Sequence, residues 1–255
     1  MKYRKALRFA ITAVSAAWLS HLAAPAEASV VISGTRVIYD ASETEVTIKL
    51  SNDGELPVLV QSWVDAGDAQ AAPSTIKVPF LVTPPISRID PRKSQTLRIV
   101  HTGEPLPVDR ESAFWLDVLE VPPKPKAEEA DTNRIQLAFH SRIKLFYRPS
   151  HLKGAPADAP AQLAWRLVRV DGKPALEARN PTPYYVSVIG ITLQSGGRKA
   201  GAEDSGMVAP GGSHVFPLSG DAIEAADASV HYVTLNDYGA SVDGVAPLQS
   251  NGTAP

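Results

Sequence analysis

The sequence predicts an all-β protein built from two sandwich domains. From Ser29 onward, segments of five to ten residues are rich in β-branched and aromatic side chains and end at Gly, Pro, Asn or Asp. This pattern is typical of short strands joined by turns. The chain has 255 residues, and the 227 that follow residue 28 are too many for one small sandwich and suit two domains. There is no cysteine, so core packing without disulfides or thiolate metal sites must hold the fold together.

The first 28 residues have the features of a secretory signal peptide. Four basic residues lie within MKYRKALRF, an apolar stretch follows from Ala10 to Leu22, and small residues lead to Ala28. A membrane anchor is the alternative, but the apolar stretch is short for a bilayer and contains two serines and a histidine. We therefore expect export and cleavage after Ala28.

Charge and motif content disfavour several classes of function. Without the leader the chain has 21 basic and 26 acidic residues, a formal net charge of −5. Nucleic-acid binding is not expected, because neutralising phosphates requires a basic surface. The six histidines have no metal-ligand spacing, and the chain has neither a GxSxG nor a P-loop motif. We therefore expect that the protein is not an enzyme and that it binds neither a metal ion nor another cofactor.

The N-terminal domain is predicted to span residues 29–149. Its strands are placed at Val30–Tyr39, Glu45–Asn52, Val58–Val64, Phe80–Thr83, Gln95–His101, Phe114–Val121 and Arg134–Tyr147. Seven strands of this kind make one immunoglobulin-like domain. In the second strand, Val46, Ile48 and Leu50 share one face, which should be the face toward the core.

The C-terminal domain is predicted to span residues 150–248, followed by a tail at 249–255. A stretch rich in Pro and Ala, RPSHLKGAPADAPAQ, precedes it and reads as a hinge. Its strands are placed at Leu163–Val170, Ala175–Asn180, Tyr184–Leu193, His214–Leu218 and Ser229–Asn236. The polar ending QSNGTAP is expected to be disordered.

The segment from Arg134 to Tyr147 differs from the other predicted strands in its length and its apolar row. It follows a loop of prolines and mixed charges at 122–133, and Ile135, Leu137 and Phe139 alternate with other residues along it. A strand of this length would extend roughly 45 Å, so its first half should reach beyond its own domain. Proteins usually blunt exposed apolar edges, so a partner could cover this row. Alternation alone leaves open the other interpretation, that the row faces its own core.

Five motifs resemble those of periplasmic pilus-assembly chaperones of the PapD-like kind. They occur in the expected order along the chain: TPP at 83–85, DRES at 109–112, KLFYRP at 144–149, NPTPYYVSVIG at 180–190 and NDYG at 236–239. The resemblance covers essentially the whole chain after the leader. It implies two immunoglobulin-like domains in an L-shaped arrangement.

The resemblance also implies how partners are bound. The family holds pilus subunits by their C-terminal strand and delivers them to an outer-membrane usher. A pair of cations, here matched by Arg36 and Lys144, would anchor the subunit's terminal carboxylate. Ile135, Leu137 and Phe139 would then fill the groove left by the subunit's missing strand, a mode known as β-augmentation. Self-association of the free protein is left open.

The same resemblance assigns Glu111, Arg148 and Asp237 to a charged network between the domains. An arginine between two carboxylates can hold both, and loss of one member leaves a buried charge unpaired. One geometric question stays open, because even-numbered Lys144 lies on the opposite face of a regular strand from the odd-numbered apolar row. Either the apolar row faces a partner while Lys144 faces the cleft, or twist or a bulge in the strand changes the face on which Lys144 lies.

The sequence leaves open the loop subclass and an alternative function. The loop at 122–133 favours the short-loop subclass of these chaperones without deciding it. The alternative function is a secreted immunoglobulin-like binding module or adhesin. Pilus subunits, however, usually carry one incomplete domain with a cysteine pair, whereas this chain has two domains and no cysteine.

Overall fold

The computed structural model describes residues 29–123, 137–221, 223 and 228–249, arranged as two β-sandwiches. The strands of the N-terminal sandwich are β1 (Val30–Ile32), β2 (Arg36–Asp40), β3 (Val46–Asn52), β4 (Val58–Asp65), β5 (Phe80–Thr83), β6 (Ile86–Ile89), β7 (Ser94–His101), β8 (Ser112–Val121) and β9 (Phe139–Arg148). One sheet has the order β1-β3-β7-β5 and the other β2-β9-β8-β4-β6.

The core of the N-terminal domain lies between these two sheets. Leu50, Leu97, Ile99, Leu116 and Leu145 are fully buried within it. In β3 the buried positions are the even ones, as the alternation predicted.

The first predicted strand is in fact two strands in different sheets. β1 pairs antiparallel with β3, and β2 pairs parallel with β9. The chain crosses between the sheets over residues 33–35. Ser33, Gly34 and Thr35 interrupt the apolar pattern at the crossing, but the residues themselves do not indicate that the two parts join different sheets. The crossing brings Arg36, the first residue of β2, into register with Lys144.

The prolines after β5 end that strand. The Thr83–Pro84 peptide bond is cis, and the chain resumes as β6, which the sequence analysis did not predict. β6 is four residues long and pairs with β4 at the edge of its sheet. Its first residue, Ile86, is exposed, so β6 lacks a strong alternating pattern.

The C-terminal sandwich contains strands β10 (Ala164–Val170), β11 (Lys173–Arg179), β12 (Val186–Ser195), β13 (Arg198–Ala202), β14 (Gly206–Val208), β15 (Ser213–Gly220), β16 (Ser229–Leu235) and β17 (Ser241–Pro247). The first part of β15 pairs with β11 and its last part with β13, so this strand joins the two sheets. Trp165, Phe216 and Tyr232 pack together in the core.

Three of these strands were missing from the sequence prediction. β13 and β14 are short and contain glycine, and β17 carries few buried side chains. β17 nevertheless pairs with β16 along its whole length. These segments form strands because they pair with a well-defined neighbouring strand. Their own alternation of apolar and polar residues is too weak to predict them.

Within the described ranges, no helix is long and apolar enough to cross a membrane.

Candidate functional site

A cleft of about 350 Å³ lies between the two domains. Its lining includes Arg36 and Phe146 from the first domain and Tyr185, Asp237 and Val242 from the second. The Phe146 and Tyr185 rings lie 5.6 Å apart, so they form an apolar contact across the domain boundary. The lining also includes the charged residues Glu111 and Arg148.

Arg148 joins the two domains through its guanidinium group. Its Nε donates to Oε1 of Glu111 at 2.6 Å. Its Nη1 and Nη2 donate to the two carboxylate oxygens of Asp237 at 2.7 and 2.9 Å. The backbone N–H of Tyr185 donates to the other oxygen of Glu111 at 2.7 Å. The structure thus brings together all three residues that the motifs assigned to an interdomain network.

Burial controls the electrostatics of this network. Desolvation raises the pKa of Glu111 above its usual range, and the Arg148 charge offsets only part of that effect. Desolvation also opposes the charge of Arg148, but its hydrogen bonds and charge interactions with Asp237 and Glu111 raise its pKa overall. Arg148 therefore stays protonated at all relevant pH values, and each carboxylate depends on it for compensation.

A close backbone approach also connects the domains. Gly239, in the turn after β16, has φ +81°, and a Cβ built on it would lie 2.2 Å from Oγ1 of Thr35. Only glycine fits this position without strain. The turn that carries Asp237 therefore packs directly against the segment that leads into β2.

Arg36 and Lys144 are adjacent across the parallel β2–β9 pair. Nη1 of Arg36 donates to the carbonyl oxygen of Leu235 at 3.2 Å, and Nζ of Lys144 lies 3.2 Å from Oγ of Ser187. Both contacts reach the second domain. Arg36 lines the cleft, whereas Lys144 is not part of its lining.

These two cations are only partly compensated within the described ranges. Neither forms a salt bridge there, and Nε of Arg36 is buried without a hydrogen-bond partner. Burial lowers the pKa of Arg36, and the charge of Asp237 opposes that change. Burial also lowers the pKa of Lys144, and the neighbouring Arg36 charge lowers it further. An anion bound here would relieve both the desolvation and the mutual repulsion.

The register of β9 resolves the open question about Lys144. β8 and β9 pair without interruption from Ser112↔Tyr147 to Glu120↔Phe139, so the strand has no bulge. Leu145 is buried in the first domain's core, and Ile143 packs against it. Lys144 therefore points away from that core and toward the second domain.

One edge of β9 is unpaired over half its length. β2 pairs with β9 only from Lys144 to Arg148. On the other edge, β8 pairs with β9 from Phe139 onward. Among the described residues, no strand pairs with the outer edge at 139–143, which leaves backbone donors and acceptors for an additional strand.

The predicted apolar row is only partly within the described residues. Ile135 lies outside them. Leu137 is 52% exposed and Phe139 is half-buried, at the end of β9. For Leu137, this exposure argues against the interpretation that the row faces its own core. Of the row, Phe139 lies on the unpaired edge of β9 and Leu137 precedes it by two residues.

Sequence reasoning missed a cluster on the outer face of the same sheet. Arg142 donates to Asp65 at 2.5–3.1 Å and to Asp117 at 3.0 Å, and Nε2 of His140 lies 2.6 Å from Asp117. The ring of His140 also contacts Trp63. His140 and Arg142 are even-numbered residues of β9, so alternation could have placed them together on the face opposite the apolar row.

The described part of the chain has no group of three or more His, Asp or Glu side chains that could hold a metal ion.

Two family models match the chain. Residues 29–153 match the model described as pili and flagellar-assembly chaperone, PapD N-terminal domain. Residues 158–246 match the model for the C-terminal domain of the pili assembly chaperone PapD. Together the two matches cover most of the chain.

Individual relatives agree with these matches. The probable fimbrial chaperone YadV of Escherichia coli K12 is 48% identical over 223 residues, which is 87% of this chain and 90% of YadV. A crystal structure of a YadV chaperone has a TM-score of 0.75 and 43% identity, and the match covers 87% of this chain and all of that one. The SafB chaperone of Salmonella enterica, solved in complex with the SafA pilin, has a TM-score of 0.72 and 30% identity over 88% of this chain and 99% of that chain.

Proposed function

The chain belongs to the PapD-like family of pilus-assembly chaperones, and on this premise we propose that it captures pilus subunits in the periplasm by pairing with their C-terminal strand. The protein is a fimbrial chaperone with pilus subunits as its partners, and its family is one of chaperones and not of enzymes. The alternative of a secreted binding module or adhesin is not favoured by any of these relatives. We propose further that the protein acts in the periplasm and delivers the subunits to an outer-membrane usher.

The observation that carries the proposal is the position of Arg36 and Lys144. Two partly buried cations lie side by side at the cleft without a salt bridge in the described structure. A carboxylate placed between them would accept charge-assisted hydrogen bonds, each worth about 1.5–3 kcal/mol. We infer that the C-terminal carboxylate of a pilus subunit binds here.

The unpaired edge of β9 gives the subunit's strand a place to continue. With its terminal carboxylate held at Lys144, the subunit's last strand would lie along residues 139–143 and pair with that edge. The anchored end would set its register, because a shift by one residue would reverse the faces of all its side chains.

Leu137 and Phe139, with Ile135 beyond the described residues, would then contact the subunit's interior. Burying an apolar side chain of this size is worth roughly 1.5–3 kcal/mol before ordering costs. A complex of this kind would be stable and still release the subunit to an outer-membrane usher. Glu111, Arg148 and Asp237 would hold the domains in the orientation that shapes the cleft.

The test uses a synthetic peptide that corresponds to the C-terminal strand of a pilus subunit from the same organism. It is prepared with a free carboxylate or with a terminal carboxamide. Fluorescence anisotropy would measure binding to the wild type, to the double variant Arg36→Ala/Lys144→Ala and to Lys153→Ala, which removes an exposed cation outside the cleft.

We expect the wild type and Lys153→Ala to prefer the carboxylate peptide by about tenfold or more. The double variant should lose this preference. If the double variant prefers the carboxylate peptide as strongly as the wild type does, the anchor assignment is contradicted. Pairing with the subunit's strand would not be affected by that result. Failure of both peptides to bind the wild type, with intact subunits still captured from periplasmic extract, would contradict C-terminal strand recognition.

A further inference from the structure

The buried carboxylate of Glu120 has no cation partner within the described ranges. Glu120 is only 6% exposed and lies on β8 at the same parity as the core residues Leu116 and Val118. No salt bridge to Glu120 is present in the described part of the chain, where its carboxylate contacts are hydrogen bonds. An ionised carboxylate in such a place is costly unless it is compensated.

The groups that do contact Glu120 come from the start of the predicted mature chain. Oγ of Ser29 donates to Oε1 of Glu120 at 2.5 Å, and the backbone N–H of Val30 donates to Oε2 at 3.0 Å. The Ser29 carbonyl oxygen in turn accepts from the N–H of Asp53 at 2.7 Å. A Cβ built on Gly54 would lie 2.6 Å from Cβ of Ser29, so Ser29 is closely packed.

These contacts determine where the backbone nitrogen of Ser29 lies. Standard covalent geometry keeps that nitrogen within about 4 Å of both Oγ of Ser29 and the nitrogen of Val30. Each of those two atoms is hydrogen-bonded to a different oxygen of Glu120. The Ser29 nitrogen must therefore lie within about 6 Å of the carboxylate, a distance at which opposite charges stabilise each other's charged form.

We propose that Glu120 is the binding site for the α-ammonium group that cleavage after Ala28 creates on Ser29. Before cleavage this nitrogen is an uncharged amide. Cleavage releases the leader and leaves a protonated amine beside the buried carboxylate. The proposal rests on the predicted cleavage position and is independent of how pilus subunits bind.

This ion pair would connect processing of the chain to the order of its first strands. β1 begins at Val30, directly after the pair, and is an edge strand held by only three residue pairs with β3. Three residues after β1 the chain enters β2, which begins with Arg36. An ion pair at Ser29 would hold β1 in place and so restrict the segment that presents Arg36. The mature form should then be more stable than a form with residues attached before Ser29.

The test is a double-mutant cycle on the protein purified from the periplasm, with mass spectrometry to establish that it begins at Ser29. The two changes are Glu120→Gln and the addition of two glycines before Ser29, which moves the charged amine away. Thermal unfolding would be measured near pH 6.5. Glu104→Gln, which alters an exposed carboxylate, serves as the matched control.

We expect each change alone to lower Tm by about 2–4 °C and the two together to lower it by little more than either one. The changes in Tm caused by Glu104→Gln and by the added glycines should be additive. Additive effects for Glu120→Gln, or a chain that begins at another residue, would overturn the proposal.

A second measurement does not depend on any variant's folding. NMR titration of the Ser29 resonances in the wild type should place the pKa of its α-amino group above the ordinary value. A raised pKa contributes stability that is present below the unfolded-state value and is lost as pH rises through the folded-state value. An α-amino group that titrates as it does in an unfolded peptide would overturn the proposal.

Discussion

Asp117 illustrates how single residues set the pH response of this protein. It is 1% exposed on the face of β8 opposite the core residues Leu116 and Val118. Its Oδ1 accepts from Arg142 and contacts His140, whereas its Oδ2 has no hydrogen-bond partner. Burial raises the pKa of Asp117 to about 6, and the nearby Asp65 contributes to this rise. A proton on Oδ2 would let Asp117 donate to Asp65 in place of the repulsion between two carboxylates.

The substitution Asp117→Asn should therefore stabilise the protein at neutral pH. Because the folded-state pKa is raised, the stability contributed by protonated Asp117 is present below about pH 4 and is lost as pH rises through about 6. Asparagine cannot ionise, so the variant avoids this loss, which is on the order of 1–3 kcal/mol. Denaturant unfolding of both proteins from about pH 4 to about pH 7 should show the variant's advantage growing with pH.

Asp158→Asn provides the control for this experiment. Asp158 is exposed, so its replacement should change the free energy of unfolding by about 0.5 kcal/mol or less. Parallel stability curves for Asp117→Asn and the wild type would contradict the prediction.

At the scale of elements, β9 combines three roles along one strand. Its odd positions, such as Ile143 and Leu145, pack in or against the first domain's core, and even positions such as Lys144 reach the second domain. Its outer edge at 139–143 is unpaired in the described structure. The strand can serve all three because alternate side chains and the backbone edge point in different directions.

The substitution Leu137→Arg should weaken subunit capture without unfolding the protein. Leu137 is 52% exposed, so a polar replacement should change the free energy of unfolding by about 0.5 kcal/mol or less. If the side chain fills a groove in the subunit, the change should lower the amount of subunit that co-purifies from the periplasm by about tenfold. Quantitative mass spectrometry of the purified complexes would measure this amount.

Leu81→Arg is the matched control for the same measurement. Leu81 on β5 is 57% exposed and lies in the other sheet of the same domain. It should leave subunit capture unchanged. Equal losses for the two variants would indicate a general surface effect and would contradict the proposed role of the apolar row.

At the scale of the whole molecule, the two domains are joined by contacts that are far apart in sequence. Arg148 is the last residue of β9, and its partners are 37 and 89 residues away along the chain. The Phe146–Tyr185 contact and the packing of Gly239 against Thr35 lie beside it. Charged contacts form part of this interface, so its geometry should depend on each member of the network.

The substitution Arg148→Leu should destabilise the protein by about 3–5 kcal/mol, because it leaves Glu111 buried without a cation. The double variant Glu111→Gln/Arg148→Leu should recover part of this loss, since a neutral amide needs no compensating charge. Urea unfolding followed by circular dichroism would measure both effects. Arg179→Leu, at an exposed arginine, should cost about 0.5 kcal/mol or less. A similarly small cost for Arg148→Leu would contradict the role assigned to the network.

The sequence by itself determined the fold class and the candidate residues. Alternation in segments such as residues 46–52 predicted strands and their buried face, because side chains on a strand alternate with a period of two. Through the family resemblance, the motifs DRES, KLFYRP and NDYG identified Glu111, Arg148 and Asp237 as members of an interdomain network. The family follows from the same motifs.

Only the tertiary structure decided how those segments are combined. The sheets that β1 and β2 join, the short strands β13 and β14, and the pairing of β17 depend on neighbouring strands, not on a local pattern. The direction of Lys144 and the contacts between Glu120 and Ser29 likewise come from register over long distances in sequence. Alternation tells which side chains share a face of one strand. Which strands lie beside it, and therefore what each face touches, depends on packing energies summed over the whole domain.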